Sequence, residues 1–135
     1  MARLVKIALA VLIGLMVWLI VATVGNLLIR AIVPGYAEVE PTFRFTLAML
    51  LARLALGAIS SVVAGLACAL SARSIPAAVR VFAVALVLLF LPVHYSLWTD
   101  FPVWYHMLFL VSLAPLAFVG AAAGRRLIAR GVSAA

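Results

Sequence analysis

The sequence predicts an all-α protein, a four-helix transmembrane bundle with both termini cytoplasmic. Three observations predict it. Of the 135 residues, 70% are hydrophobic and 10% charged, against about 45–50% apolar and about 25% charged in soluble domains. A water-facing exterior built from that composition would be one continuous apolar patch. The apolar residues fall into four runs, each near the roughly 20 residues that a bilayer crossing needs. The basic residues flank those runs asymmetrically, and basic flanks stay on the cytoplasmic side.

The first run, 4–30, follows Arg3 and Lys6 and is closed by Arg30, with Asn26 near its far end. A cleaved leader has an apolar core of about 7–15 residues, so this longer run predicts an uncleaved spanning helix. Ala31 to Phe45 is the longest polar connection. Pro34-Gly35 signals a turn there, Glu38 and Glu40 are two of the three acids, and Thr42 after Pro41 offers a helix cap. The second helix is expected over 46–70. Ser71 to Ile75 is a short loop with Arg73, in which Ser74 can cap the third helix, 75–97. Pro76 falls in the first turn of that helix, where a missing N–H costs nothing, and Pro92 lies inside it. Thr99 or Asp100 is expected to cap the fourth helix, 101–124, with Pro102 in its first turn and Pro115 in its middle. Membrane helices tolerate interior prolines when neighbours satisfy the freed carbonyls. Arg125 to Ala135 forms a basic tail that ends in small residues. No repeat or low-complexity linker divides the chain, so residues 1–135 read as a single membrane domain.

The net charge of +7 would suggest nucleic acid in a soluble protein. Here it predicts topology and contact with anionic headgroups: the expected partner is the lipid bilayer and no nucleic acid. Arg3, Lys6, Arg73, Arg80, Arg125, Arg126 and Arg130 share one side of a four-span topology, with no acid among them. The other side carries Arg30 and Arg44 with Glu38, Glu40 and Asp100. Both ends and the 71–80 loop are therefore expected in the cytoplasm.

Arg53 is the sharpest chemical feature, because it lies inside the second apolar run. Counted from Thr46 it sits roughly 10 Å along the helix axis, about a third of the way across a 30 Å hydrocarbon core. A charge there costs about 2.5–3.5 kcal/mol on insertion scales and takes a partner or a wet cavity. Gly57, Ser60, Ser61, Ala64 and Cys68 follow Arg53 down one helical stripe, and small residues at that spacing admit a close neighbour. Arg53 is therefore expected to face the bundle interior, either as a clamp between helices or as part of a binding site. Its five donors would reach Glu38, Glu40 or Asp100. The alternative acceptors are the carbonyls of Leu88 and Val111, freed by Pro92 and Pro115.

The second feature is the hairpin PVHYSLWTDFPVWYHM. His94 and His106 each lie six residues from Asp100, and Tyr95 and Tyr105 each five. Equal distances from a turn mean similar depth on antiparallel helices, so two imidazoles and two phenols are expected at one level. They read as a metal, haem or proton-relay site, or as an aromatic belt with Trp98 and Trp104 at the headgroup boundary. Glu38 and Glu40 share a face if their loop is extended, as a cation or acid–base pair or as plain solvated charges. Gly120 and Gly124 form a GxxxG spacing that favours helix contact.

Cys68 is the single cysteine, which excludes an intramolecular disulfide and a CxxC pair. Two histidines give too few ligands for a three-ligand metal site, and no catalytic or phosphate-binding motif is present. No cofactor, metal or catalytic residue is therefore expected.

The stretch LPVHYSLWTDFPVWYHMLFL, with PGY and the Arg53 helix upstream, resembles small uncharacterised four-span proteins of the bacterial inner membrane, most strongly at FPVWYH. An excess of arginine over lysine, nine to one, is a compositional association in the same direction. The resemblance implies an architecture and no catalytic role. The expected function is non-enzymatic: an accessory or scaffold subunit packing with itself or with a larger membrane partner. The alternatives are a small transporter or channel using Arg53 and the His/Tyr cluster, and a haem or redox subunit using His94 and His106. A polar cavity at Arg53 would favour transport, and an Arg53 with every donor satisfied would favour the scaffold.

Overall fold

The computed structural model describes residues 1–73 and 75–133. Its helices are α1 (Ala2–Ile32), α2 (Tyr36–Val39), α3 (Leu47–Ala72), α4 (Pro76–Ser96) and α5 (Val103–Ser133), with a 3-10 turn over Glu40–Thr42. Among the described residues, α1, α3, α4 and α5 are each long and apolar enough to cross a bilayer. The protein is an all-α, four-helix membrane bundle. With 31 residues each, α1 and α5 reach about 46 Å and outrun a hydrocarbon core of about 30 Å.

Helix ends follow local chemistry. The Thr46 side chain accepts from the Met49 N–H and starts α3. Thr42 is not a helix cap: its hydroxyl donates to the Val39 carbonyl inside the 3-10 turn. Pro76 occupies the first turn of α4, where no N–H is missed. The proposed Ser74 cap lies outside the described residues. Neither Thr99 nor Asp100 caps the last helix. The chain turns there, with the Asp100 N–H on the Leu97 carbonyl, and α5 begins only after Pro102. The last helix does not end at 124: α5 carries the basic residues on to Ser133.

In the bundle α3 is central. It packs on α1, α4 and α5, and α1 and α5 take opposite corners. The small-residue stripe makes this possible: Gly57, Ser60, Ser61, Ala64 and Cys68 are all buried. Contact is closest between α3 and α5. A Cβ on Gly65 would strike the Ala117 backbone, and one on Gly120 would strike the Val62 carbonyl. Gly124, the other half of the GxxxG spacing, has more room, its nearest neighbours being 3.2 Å from such a Cβ. Ser60 and Ser61 hydroxyls donate to the Leu56 and Gly57 carbonyls of their own helix, both at 2.8 Å. Ser61 also accepts from Trp18 Nε1 at 3.1 Å and so ties α1 to α3. Outward-facing residues are apolar on every long helix, for example Leu12, Leu51, Leu88 and Val111, as a lipid-solvated surface requires.

Candidate functional site

The 31–45 connection is folded rather than extended. Gly35, at φ 74°, starts α2, and left-handed backbone of this kind suits glycine. Helical geometry separates Glu38 from Glu40, because successive helical residues rotate by about 100°. The shared carboxylate face does not form. Glu38 is exposed, whereas Glu40 pairs with Arg30 at 3.2 Å and accepts from Asn26 at 2.9 Å.

Short α2 also delivers Tyr36, fully buried, onto Arg53. Arg53 Nη1 donates to the Tyr36 hydroxyl at 2.6 Å. That hydroxyl donates to Asn26 Oδ1 at 2.9 Å. The guanidinium thus meets a carboxylate only through a relay, Arg53–Tyr36–Asn26–Glu40. It does not use Asp100, which is exposed, nor the Leu88 or Val111 carbonyls, whose residues face outward. The stacked rings of Phe45 and Phe101 pack against the guanidinium together, with centroids 4.8 and 5.9 Å from Cζ. Cation–π contact of this kind stabilises a cation by about 0.5–2 kcal/mol. Tyr105 lies beside one edge. Nε is buried and has no partner.

The hairpin brings the two histidines together. His94 Nδ1 and His106 Nδ1 are 2.8 Å apart, with the rings edge to face at 85°. Both rings are buried, and His106 Nε2 has no partner. Trp98 stacks on His106, and Tyr105 and Phe109 stack on His94. Tyr95 does not join them. It is 82% exposed, because the residue after inward-facing His94 is turned about 100° away. Tyr105 and His106 are adjacent yet both buried, since α5 is covered on two sides, by α3 and by α4.

These groups share one cavity of ≈ 440 Å³ lined by all four long helices. Arg53, His94, His106, Tyr105, Asn26 and Glu40 give it polar walls, and Trp18, Phe90, Phe101 and Phe109 give it apolar ones. Exposed Leu27 and Arg30 on α1 and exposed Val93 on α4 stand on its rim, so it opens sideways between α1 and α4. Asn26, Tyr36 and Trp18 carry this site although the sequence alone did not single them out. Asn26, a polar side chain near the end of an apolar run, was the one available signal.

Burial raises the Tyr36 phenol above its ordinary 10.0; the nearby Arg53 opposes the rise and Glu40 adds to it. A folded pKa above the unfolded value gives stability that is present below about pH 10 and lost as the pH climbs through the folded value. Tyr36→Phe leaves Arg53 Nη1 without an acceptor and Asn26 without a donor. It is expected to cost about 1–3 kcal/mol at neutral pH, and the deficit should shrink at alkaline pH. Melting scans in detergent at neutral pH and at about pH 11 check both; a deficit that grows with pH contradicts the assignment.

The class that fold and cavity define is a membrane-spanning helical bundle with an internal, cation-bearing pocket. No protein-family model, no curated protein and no solved structure matches the chain.

Proposed function

We propose that the protein is a small membrane carrier whose cavity binds a small organic monoanion with an apolar body, such as an aryl or alkyl carboxylate or sulfonate. The observation that carries this reading is Arg53, a cation whose Nε meets no acceptor, in the wall of a cavity that also has aromatic walls. A guanidinium edge is matched to the oxygens of such an anion. Charge sets the valence. Arg30 and Glu40 compensate one another, which leaves the single positive charge of Arg53. The scaffold role favoured by the sequence stands second, because a pure clamp calls for an Arg53 with all donors met. The haem or metal role stands third. The two axial imidazole nitrogens of a haem lie about 4 Å apart, at about 2 Å per bond, whereas here they touch at 2.8 Å, and no third His, Cys, Asp or Glu completes a metal-binding group among the described residues.

Purified protein titrated with benzenesulfonate checks this by calorimetry, with neutral benzenesulfonamide as the control. Saturable binding of the anion alone is expected; equal or absent binding of both removes the carrier reading. Anion-dependent uptake into proteoliposomes then tests carriage as distinct from binding.

The same proposal includes orientation. Both termini lie in the cytoplasm of a bacterial inner-membrane protein, and the cavity opens toward the outer leaflet, because the seven basic flanks lie at the opposite end. A reporter active only in the cytoplasm is expected to work when fused after Ala135 and to fail when inserted next to Glu38. The reverse pattern inverts the topology.

A further inference from the structure

We infer that the His94–His106 pair is a proton-binding site coupled to the anion at Arg53, so that the cavity takes up one proton with each monoanion. This rests on the carrier reading above. The contact between the two Nδ1 atoms at 2.8 Å needs one hydrogen between them, since a hydrogen bond has one donor and one acceptor. Two neutral imidazoles carry two ring protons. One bridges the Nδ1 atoms, and the other sits on Nε2 of the accepting ring. In either arrangement the donating ring keeps an Nε2 lone pair. A third proton lands on that lone pair without breaking the bridge, and the pair becomes a hydrogen-bonded imidazole–imidazolium. His106 Nε2 is buried and unpartnered, in the wall of the cavity that Arg53 shares.

Burial of the pair and the surrounding charge together govern that third proton. The groups around the pair are Arg53 from α3, Tyr105 from α5, Arg30 from α1, Tyr36 from α2 and Glu40 from the 3-10 turn. Tyr36 is a neutral phenol below about pH 10, and Arg30 and Glu40 are paired. The uncompensated field is therefore the positive charge of Arg53, which repels an imidazolium. An anion seated on Arg53 cancels that field and adds its own attraction. Anion binding thus raises the proton affinity of the pair. Linkage is reciprocal, so a lower pH strengthens anion binding by the same factor. The proton comes from water and the pair stays neutral plus one. Anion and proton together add no net charge to a site inside the membrane, which is the condition for low-cost movement through it.

Benzenesulfonate is the probe, because it holds no proton at any pH used and any proton taken up belongs to the protein. Calorimetry at about pH 6.5, in the imidazole range, is run in two buffers of different ionisation enthalpy. The heats are expected to differ by an amount that corresponds to net uptake of up to one proton per anion. Affinity is expected to rise about tenfold from pH 8 to pH 5, within the usual range of coupling. In His94→Gln/His106→Gln the heats should become buffer-independent and the affinity flat with pH, whatever its level. Nitrogen-15 imidazole spectra of the unmutated protein, which has two histidines, give the same answer without a variant: the ring nitrogens should shift toward imidazolium when the anion is added. Anion binding with no proton uptake and no imidazole shift overturns the inference and leaves the carrier reading standing. Proton uptake that survives in the double variant also overturns it. No anion binding at any pH overturns the carrier reading itself.

Discussion

Arg53→Gln is expected to weaken benzenesulfonate binding by roughly 30-fold or more, the size of effect that follows loss of one partner of a buried charged hydrogen bond, about 2–5 kcal/mol. The reasoning starts from geometry. The rings of Phe45 and Phe101 pack against the guanidinium, Tyr36 takes Nη1, Nε meets no acceptor, and Arg53 stands in the cavity wall. Glutamine keeps some length and polarity but brings no charge and no stacking plane. Arg53→Lys separates these contributions. It retains the charge, lacks the planar fork, and should fall between the other two proteins in affinity. Both variants should also melt below the wild type, because Tyr36 and the two phenyl rings lose what they pack against. If Arg53→Gln binds the anion as the wild type does, the cation is a clamp and the carrier proposal fails. Binding lost in Arg53→Gln with melting little changed would place Arg53 in recognition rather than in assembly.

The largest effect on stability is expected at Gly120→Val. Its Cβ position is already occupied by the Val62 carbonyl on α3, and a helix backbone cannot rotate away as a side-chain tip can. The two helices must separate, which costs about 3 kcal/mol or more where overpacking usually costs about 1–3. Gly65→Val, against the Ala117 backbone, belongs to the same class. Gly124→Ala is the control. The added methyl meets the Ala69 side chain and the Leu66 carbonyl at 3.2 Å, and small adjustments absorb it at a cost of about 1 kcal/mol. Thermal denaturation in detergent with size-exclusion profiles checks the order. A Gly120→Val protein that melts with Gly124→Ala would mean that α3 and α5 do not approach as closely as described.

Much of the scaffold was legible in the sequence, because lipid removes ambiguity. A run of twenty apolar residues has few alternatives, and the stripe from Arg53 to Cys68 points the arginine inward by helical period alone. Equal spacing from Asp100 put His94 and His106 at one depth, and the structure places their Nδ1 atoms 2.8 Å apart. What failed was finer. The same spacing rule put Tyr95 with Tyr105, but depth says nothing about rotation, and Tyr95 turns outward. Treating 31–45 as extended chain paired Glu38 with Glu40 and missed Tyr36, whose place depends on a single turn of helix that no periodicity of four residues can announce. Acceptors for Arg53 were sought among charges and proline-freed carbonyls. The acceptor found was a phenol, reached only because α2 folds back over α3. Tertiary return of a short segment is the kind of information a linear pattern does not hold.

The central claim, that the cavity beside Arg53 holds a small apolar anion, has a direct reporter. Trp18 lines the cavity, whereas Trp98 and Trp104 are exposed on the last hairpin and can be replaced by phenylalanine. Fluorescence of the Trp98→Phe/Trp104→Phe protein, titrated with 4-bromobenzenesulfonate, reads contact between the bromine and the Trp18 indole. Saturable quenching by this anion is predicted, competed by unbrominated benzenesulfonate and absent with neutral 4-bromobenzenesulfonamide. Quenching that is equal for the two brominated compounds, or that rises linearly without saturation, would show partition into lipid or detergent and contradict a built anion site.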